Sequence, residues 1–362
     1  MKTNLSKTGK IIKIHSDFIY VKSGDTLYEC RLRERLKKEK ADVCTGDNVR
    51  IEEINEDTNQ AVITEVFERK NYMPRPSVAN IDQAIIVASL AEPGLDFVQL
   101  NRYLCLAKLN NIPALICINK IDLSDSEQKL LKKVQTIYEP LGYRIVFTSA
   151  LDGSGIENFH KNLLGKVSVL AGMSGVGKSS LLNKLCPELD LRTKNVSKKS
   201  GKGIHTTRHI ELMEIPVPDK TPCQIADTPG FSYLRFDILM PSEVMKLFDE
   251  INALSDKCYY SDCLHLEEEK CNVIANLDKI HESRYLSYKN FVKEAFEYKK
   301  QVTCSGQKQE ATVKIKDSSG KEKTRIVKIG SKAREDSRKK SKQKFNRISI
   351  LDEMYYNKDD LE

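Results

Sequence analysis

The stretch Gly172-Met173-Ser174-Gly175-Val176-Gly177-Lys178-Ser179 constrains the fold more than any other. It follows the apolar run Val167–Ala171 and precedes the helix-like Ser180-Leu181-Leu182-Asn183-Lys184-Leu185. Strand, G-x-x-x-x-G-K-S loop and helix is the context in which such a loop binds phosphates. Its glycines let backbone N–H groups turn inward as an anion nest, and the helix start adds the positive end of its dipole. Lys178 is expected to reach the β- and γ-phosphates and Ser179 to hold Mg²⁺, with Ser180 beside it.

At 362 residues the chain has room for two or three domains, and no apolar run approaches a membrane span. The N-terminus, Met1-Lys2-Thr3-Asn4-Leu5-Ser6-Lys7, carries no apolar segment of the signal-peptide kind. A cytoplasmic protein without membrane attachment is expected. Residues 8–67 alternate in five short strand-like runs, separated by Gly and Asp turns such as Ser23-Gly24-Asp25. That pattern predicts a small barrel of the OB type, which binds RNA in many settings. The basic run Arg31–Lys40 falls on a loop or short helix between strands three and four. Tyr72-Met73-Pro74-Arg75-Pro76 reads as a stiff linker, because each proline fixes its own φ and restrains its predecessor.

An α/β pattern follows. A buried-type strand at 81–88, a helix over 97–110 and a second strand at 113–118 lead into Asn119-Lys120-Ile121-Asp122. This element falls at the carboxyl edge of a sheet, where doubly wound folds place ligands. A carboxylate at Asp122 can accept from guanine N1–H and the 2-amino group together, and adenine offers neither donor. Sites built on buried polar pairing reject the non-pairing analogue by up to about 10⁴. Asn119 is expected at the base edge, with the Lys120 stem against the ring. The strand 144–147 ends at Thr148-Ser149-Ala150, where Ser149 and Ala150 can present backbone N–H groups to the guanine carbonyl.

Residues 190–209 carry six basic side chains against the single acid Asp190, and end in Gly203-Ile204-His205-Thr206-Thr207-Arg208. A threonine of this stretch can join the Mg²⁺ ligands, and Thr207 is preferred because it immediately precedes Arg208. Strand-like segments at 210–213 and 223–226 lead to Asp227-Thr228-Pro229-Gly230. Asp227 is expected to bind Mg²⁺ through water, and Gly230 to sense the γ-phosphate with its N–H. Ten cysteines are present, of which Cys258, Cys263 and Cys271 cluster with His265, favouring metal over disulfides. Three thiolates and one imidazole satisfy a closed tetrahedral structural zinc site, with no position left for water. His281 reads as a helix-surface residue.

These are the motifs of a translation-factor-type GTPase in permuted order: base recognition at 119–122 and 148–150 precedes phosphate binding at 172–179, 203–207 and 227–230. With a barrel in front and the Cys/His cluster behind, the chain resembles the bacterial small-ribosomal-subunit-dependent GTPase A family (RsgA, also called YjeQ). The resemblance covers residues 1 to about 295 and rests most specifically on Gly203-x-His205-Thr206-Thr207 and Cys258-x₄-Cys263-x-His265-x₅-Cys271. It implies GTP hydrolysis stimulated by the small (30S) subunit and its 16S rRNA, a role in late subunit maturation, and zinc at the cluster.

The expected organisation is multidomain. An OB-fold RNA-binding barrel over 1–70 is followed by a circularly permuted P-loop GTPase over 71–235. An α-helical zinc-binding domain over 236–300 and a basic tail over 301–362 complete a monomer. Where Ras-type enzymes carry a water-orienting Gln, this chain has Phe231, which predicts slow turnover until a partner completes the site. His205 is the local candidate to orient water; contact with RNA or simple packing is its other reading. From 305 to 347, fifteen Lys/Arg stand against five Asp/Glu, a net +10 in a chain of net +8. Part of it, 311–315 with 324–329, can pair as a hairpin, and 332–344 reads as a basic arm for rRNA. Two alternatives stand beside this reading: a GTP-binding RNA scaffold with little hydrolysis, and a P-loop ATPase or kinase, which Asn119-Lys120-Ile121-Asp122 argues against.

Overall fold

The computed structural model describes residues 2–3, 6–16, 18–39, 41–74, 77–122, 128–187, 210–215, 223–226, 239–306, 313–316 and 322–325. They divide into two compact units, Met1–Leu234 with Leu277–Ser287, and Arg235–Asn276 with Tyr288–Glu362.

In the first unit, alternating side chains build the barrel. Strands β2 (Lys7–His15), β3 (Phe18–Ser23), β4 (Thr26–Leu32), β5 (Asn48–Asn55) and β6 (Gln60–Val66) point Ile11, Ile19, Val21, Tyr28, Cys30, Val49, Ile51 and Ile63 inward. Antiparallel pairing runs β5–β2–β3–β4. The sheet closes because β6 pairs parallel with β4, Glu29 opposite Gln60, and antiparallel with β5. Closure removes the edge strands that an open sheet would expose. The two-residue β1 (Lys2–Thr3) adds to β5. The basic run after β4 becomes the short helix α1 (Glu34–Lys38), none of whose residues is buried.

The expected proline linker is a two-stranded ribbon instead. β7 (Tyr72–Pro74) pairs antiparallel with β8 (Ser77–Ala79), and Met73 and Val78 are buried in the core of the following sheet. The reason lies in the apolar Met73 and Val78 on either side of the prolines, which gain more by burial than an exposed spacer would. Buried Asp47 receives Arg69 on both carboxylate oxygens, at 2.7 and 2.9 Å. Asn80 donates to Gly46 O at 2.9 Å, Thr45 Oγ1 donates to Ile210 O at 3.2 Å, and Lys13 pairs with Glu211. The barrel is thus tied to the sheet through its β4–β5 connection and one strand edge.

The α/β sheet has the order β11-β10-β9-β12-β14-β13, parallel except for the last strand. Its strands are β9 (Gln83–Ser89), β10 (Ala114–Asn119), β11 (Arg144–Thr148), β12 (Val167–Ala171), β13 (Leu212–Glu214) and β14 (Gln224–Ala226). The central strands are buried on both faces and so read as continuous apolar runs. Helices α2 (Phe97–Leu109) and α3 (Gln128–Tyr138) pack with one core cluster, α4 (Ile156–Lys161) and α5 (Lys178–Leu185) with the other. Asp96 caps α2 by accepting from the N–H of Val98 and Gln99. Inside, Asn101 of α2 takes hydrogen bonds on Oδ1 from the Tyr138 hydroxyl at 2.8 Å and Arg284 Nη1 at 2.9 Å, and gives one to Ser287 Oγ. This network fixes the first turn of α8 (Glu282–Gly306) on the sheet's helical layer. His281 stands just ahead of α8 and accepts from the Ser283 N–H at 3.1 Å, so it caps the helix where a helix-surface position was expected.

The second unit holds α6 (Pro241–Val244), α7 (Asp249–Ser255), the remainder of α8 and the loop between α7 and α8. Phe248, Tyr288 and Phe291 form its aromatic core. A hairpin forms here, β15 (Val313–Lys316) against β16 (Glu322–Arg325), with both strands nearer the turn than the expected 311–315 and 324–329. Among the described residues no helix is long and apolar enough to cross a membrane.

Candidate nucleotide site and metal cluster

The parallel strands β9, β10, β11 and β12 end at one carboxyl edge of the sheet, and the expected base and phosphate motifs meet there. The loop after β12 turns through Gly172 and Gly177, both with positive φ (146° and 97°). A Cβ at Gly172 would lie 2.2 Å from Val87 O, and one at Gly177 2.3 Å from Asn119 Nδ2. Only glycine fits either place. Val176 is buried beneath the loop, whereas Ser174 and Gly175 face solvent. Gly177 precedes α5, so Lys178, Ser179 and Ser180 fill its first turn. Lys178 Nζ donates to Gly172 O at 2.6 Å and to Met173 O at 2.9 Å, which holds the ammonium over the loop.

Asn119 is buried at the end of β10. Its amide donates to Val176 O at 2.9 Å, and its Oδ1 accepts from Thr148 Oγ1 at 3.2 Å and Ala150 N at 3.3 Å. This side chain also bolts the 119–122 motif to the phosphate loop and to the Ser149–Ala150 turn. Asp122 accepts from Ser149 Oγ at 2.6 Å, which orients the carboxylate. Lys120, at φ 65°, donates from Nζ to Glu92 O at 2.5 Å, so its stem is pinned across the site. Leu151, 79% exposed one residue beyond Ala150, is an apolar side chain at the base end that the sequence reading passed over. Its position third in a Ser-Ala-x turn was the available signal. His205, Thr206, Thr207, Asp227, Gly230 and Phe231 lie outside the described residues, as do 188–209 and 332–344.

In the second unit, one ligand atom each from Cys258, Cys263, His265 and Cys271 lie within 4.8 Å of one another. Cys258 Sγ is 3.9 Å from Cys271 Sγ, and His265 Nδ1 is 3.5 and 3.4 Å from the same two sulfurs. Zinc bonds of about 2.3 Å to sulfur and 2.0–2.1 Å to nitrogen give tetrahedral edges of roughly 3.5–3.8 Å, so the donor set fits the ion. Nδ1 is the inward nitrogen, while Nε2 faces Met245 Sδ at 3.4 Å. Burial holds the His265 imidazole below its ordinary value, which favours the neutral ligand form. The Glu268 carboxylate accepts from the N–H groups of Leu264, Leu266 and Glu267, and the Tyr288 hydroxyl donates to Leu264 O. The loop is therefore folded tightly enough to converge four ligands.

Sheet order, loop geometry and paired motifs define a circularly permuted P-loop GTPase. The RsgA GTPase family model matches residues 66–237, and the RsgA N-terminal domain model matches residues 8–63. A relative from Bacillus cytotoxicus, "Small ribosomal subunit biogenesis GTPase RsgA", is 42% identical over 294 residues, covering 80% of this chain and 98% of that one. A relative of the same name from Alkaliphilus metalliredigens is 39% identical over 288 residues, covering 79% and 97%. YjeQ from Thermotoga maritima shares the structure at TM-score 0.68 and 32% identity, over 81% of this chain and 99% of that one. YloQ, described as a circularly permuted GTPase, does so at TM-score 0.67 and 31% identity, over 81% and 96%. The chain belongs to the RsgA GTPase family and is a GTP hydrolase.

The Asn119–Val176 link gives a direct expectation for Gly177→Ala. The added methyl meets Asn119 Nδ2 in a backbone region that alanine adopts only with strain. Stability should fall by about 1–3 kcal/mol and nucleotide affinity by roughly tenfold. Thermal melts and fluorescent-nucleotide titration read both, and a variant with wild-type affinity would remove Asn119 from the loop's support.

Proposed function

We propose that this protein binds the small ribosomal subunit through its 16S rRNA, hydrolyses GTP when stimulated by it, and acts in late subunit maturation. The observation that carries the nucleotide half is the Ser149–Asp122 hydrogen bond, at the same sheet edge as the Gly172–Ser179 loop. The ribosomal half is supported by the relatives' name. In this reading the protein is a cytoplasmic monomer, with the barrel and the basic C-terminal residues facing rRNA.

Asp122 and the Ser149–Ala150 turn read guanine, with Lys120 packed on the ring and Leu151 at its margin. Lys178, the N–H groups from Met173 to Gly177 and the start of α5 stabilise charge on the β- and γ-phosphates as water attacks in line. Mg²⁺, held by Ser179 and Thr207, with Asp227 through water, neutralises phosphate charge when bound. The Gly230 N–H senses the γ-phosphate, and His205 orients the attacking water. Zinc on Cys258, Cys263, His265 and Cys271 leaves no open position, so its role is structural. Phe231 cannot orient water, and this favours slow turnover by the chain alone. It also keeps one second reading, a GTP-holding RNA scaffold with little hydrolysis.

The deciding experiment is GTP turnover with and without purified small subunits, with ATP as control. A rise of at least tenfold with GTP and none with ATP is expected; partner-completed GTPase sites gain up to about 10⁵. Turnover that subunits leave unchanged would replace the stimulated-enzyme reading with the scaffold.

A further inference from the structure

The loop that carries the metal cluster also presents Tyr259 and Tyr260, 69% and 47% exposed. Neighbouring exposed aromatics of this size are costly to leave in water and mark contact surfaces. They are edge-to-face, with centroids 5.0 Å apart and planes at 83°, and so form one two-ring feature. Lys270 Nζ stands 4.9 Å from the Tyr259 centroid, so this ring already carries one cation of the chain itself and shows the cation–π geometry that its setting allows. The ligand set on either side, Cys258 and Cys263, restrains the backbone between them, which lowers the entropy lost when such side chains bind.

Charge identifies the occupant. From Asp249 to Lys270 seven Asp/Glu stand against two Lys, a net −5 within a chain of net +8. Asp256, Asp262, Glu267 and Glu269 are all exposed in the loop that holds the tyrosines. Three thiolates on a divalent ion would add one further negative charge. Stacking tyrosines also serve RNA, but RNA-binding platforms pair them with cations that follow the phosphate backbone. Here the surrounding charge has the opposite sign and repels phosphate.

We propose that Tyr259 and Tyr260 form a docking surface for an arginine- and lysine-rich protein segment. Cationic side chains lie over the two rings, and the exposed carboxylates steer and hold the rest of the segment. The nucleic-acid contacts of the chain then lie elsewhere, and this loop contributes a protein contact. The inference concerns the loop's own chemistry and stands whether or not the larger particle is the small ribosomal subunit.

The test uses the full-length, zinc-loaded chain and two fluorescent probes, a dodecapeptide of alternating arginine and glycine and a twelve-nucleotide oligouridylate. Tyr259→Ala with Tyr260→Ala should weaken the peptide about tenfold and change the oligonucleotide less than twofold. Tyr259→Phe with Tyr260→Phe keeps both rings and should keep peptide affinity, which separates lost stacking from lost folding. Asp262→Asn with Glu267→Gln and Glu269→Gln should weaken the peptide several-fold and flatten its salt dependence. Peptide affinity indifferent to the alanine pair overturns the proposal. So does a selective loss of oligouridylate binding, which would assign the rings to RNA.

Discussion

Asp122→Asn should lower GTP affinity by about 10²- to 10³-fold while raising affinity for xanthosine triphosphate. The carboxylate can accept from two guanine donors, N1–H and the 2-amino group. An amide in its place keeps one acceptor and turns a donor toward the other, leaving a buried donor without a partner. Losing one charge-assisted bond and leaving its donor unpaired costs roughly 3–4 kcal/mol together, which sets the range quoted. Xanthine carries a carbonyl where guanine carries the 2-amino group, so the same amide becomes its complement. The variant is a clean probe because Ser149 Oγ, which donates to Asp122 Oδ1 at 2.6 Å, can donate equally to an asparagine carbonyl. The loop geometry should therefore persist, and the melting temperature should stay near that of the wild type. Equal weakening of both nucleotides would mean that the site had merely been damaged. Unchanged GTP affinity would move base recognition away from Asp122 altogether.

That experiment also marks how far the sequence could be read. Local chemistry was legible where one residue type at one spacing has a single physical use. Gly177 is an example, since a left-handed turn before Lys178 demands glycine. The strand pattern that closes the barrel was equally visible, because alternation follows directly from the pleat. What escaped was the set of contacts that only the fold brings together. Asn119 sits 57 positions from Val176 in the chain, yet its amide joins them, and no spacing rule announces that it braces the phosphate loop. Asn101, Tyr138 and Arg284 likewise form one buried network across 183 positions. The Met73–Val78 ribbon was hidden for another reason: prolines signal stiffness, but burial of Met73 and Val78 on either side of them depends on a core that local sequence does not display. The exposure of Tyr259 and Tyr260 was not legible because a metal-ligand spacing fixes where the ligands converge and not which way the residues between them face.

Removing the metal should have the larger structural effect of the two. Burial pushes the Cys263 thiol up to about 12, so without a cation that sulfur is protonated at neutral pH and metal binding must displace its proton. With zinc bound, structural sites of this type contribute on the order of 10 kcal/mol in isolated peptides, more than the core of this small loop supplies. His265 itself adopts φ 56°, in the left-handed region that histidine enters more readily than most side chains, and its Nδ1 faces the Cys258 and Cys271 sulfurs. Chelation, or Cys271→Ser, is therefore expected to unfold residues 256–274 while the sheet and its phosphate loop stay intact. Hydrogen exchange gives the sharpest reading: amides of Cys263 and Ala275, which bond to Tyr260 O and Cys271 O, should lose protection by at least about 10³. Amides of β10 and β12 should not change. One zinc per chain, lost with that protection, would tie the metal to the fold of this loop. Full protection after complete metal removal would mean that Phe248, Tyr288 and Phe291 hold the segment alone, and that the four ligands are convergent without being structural.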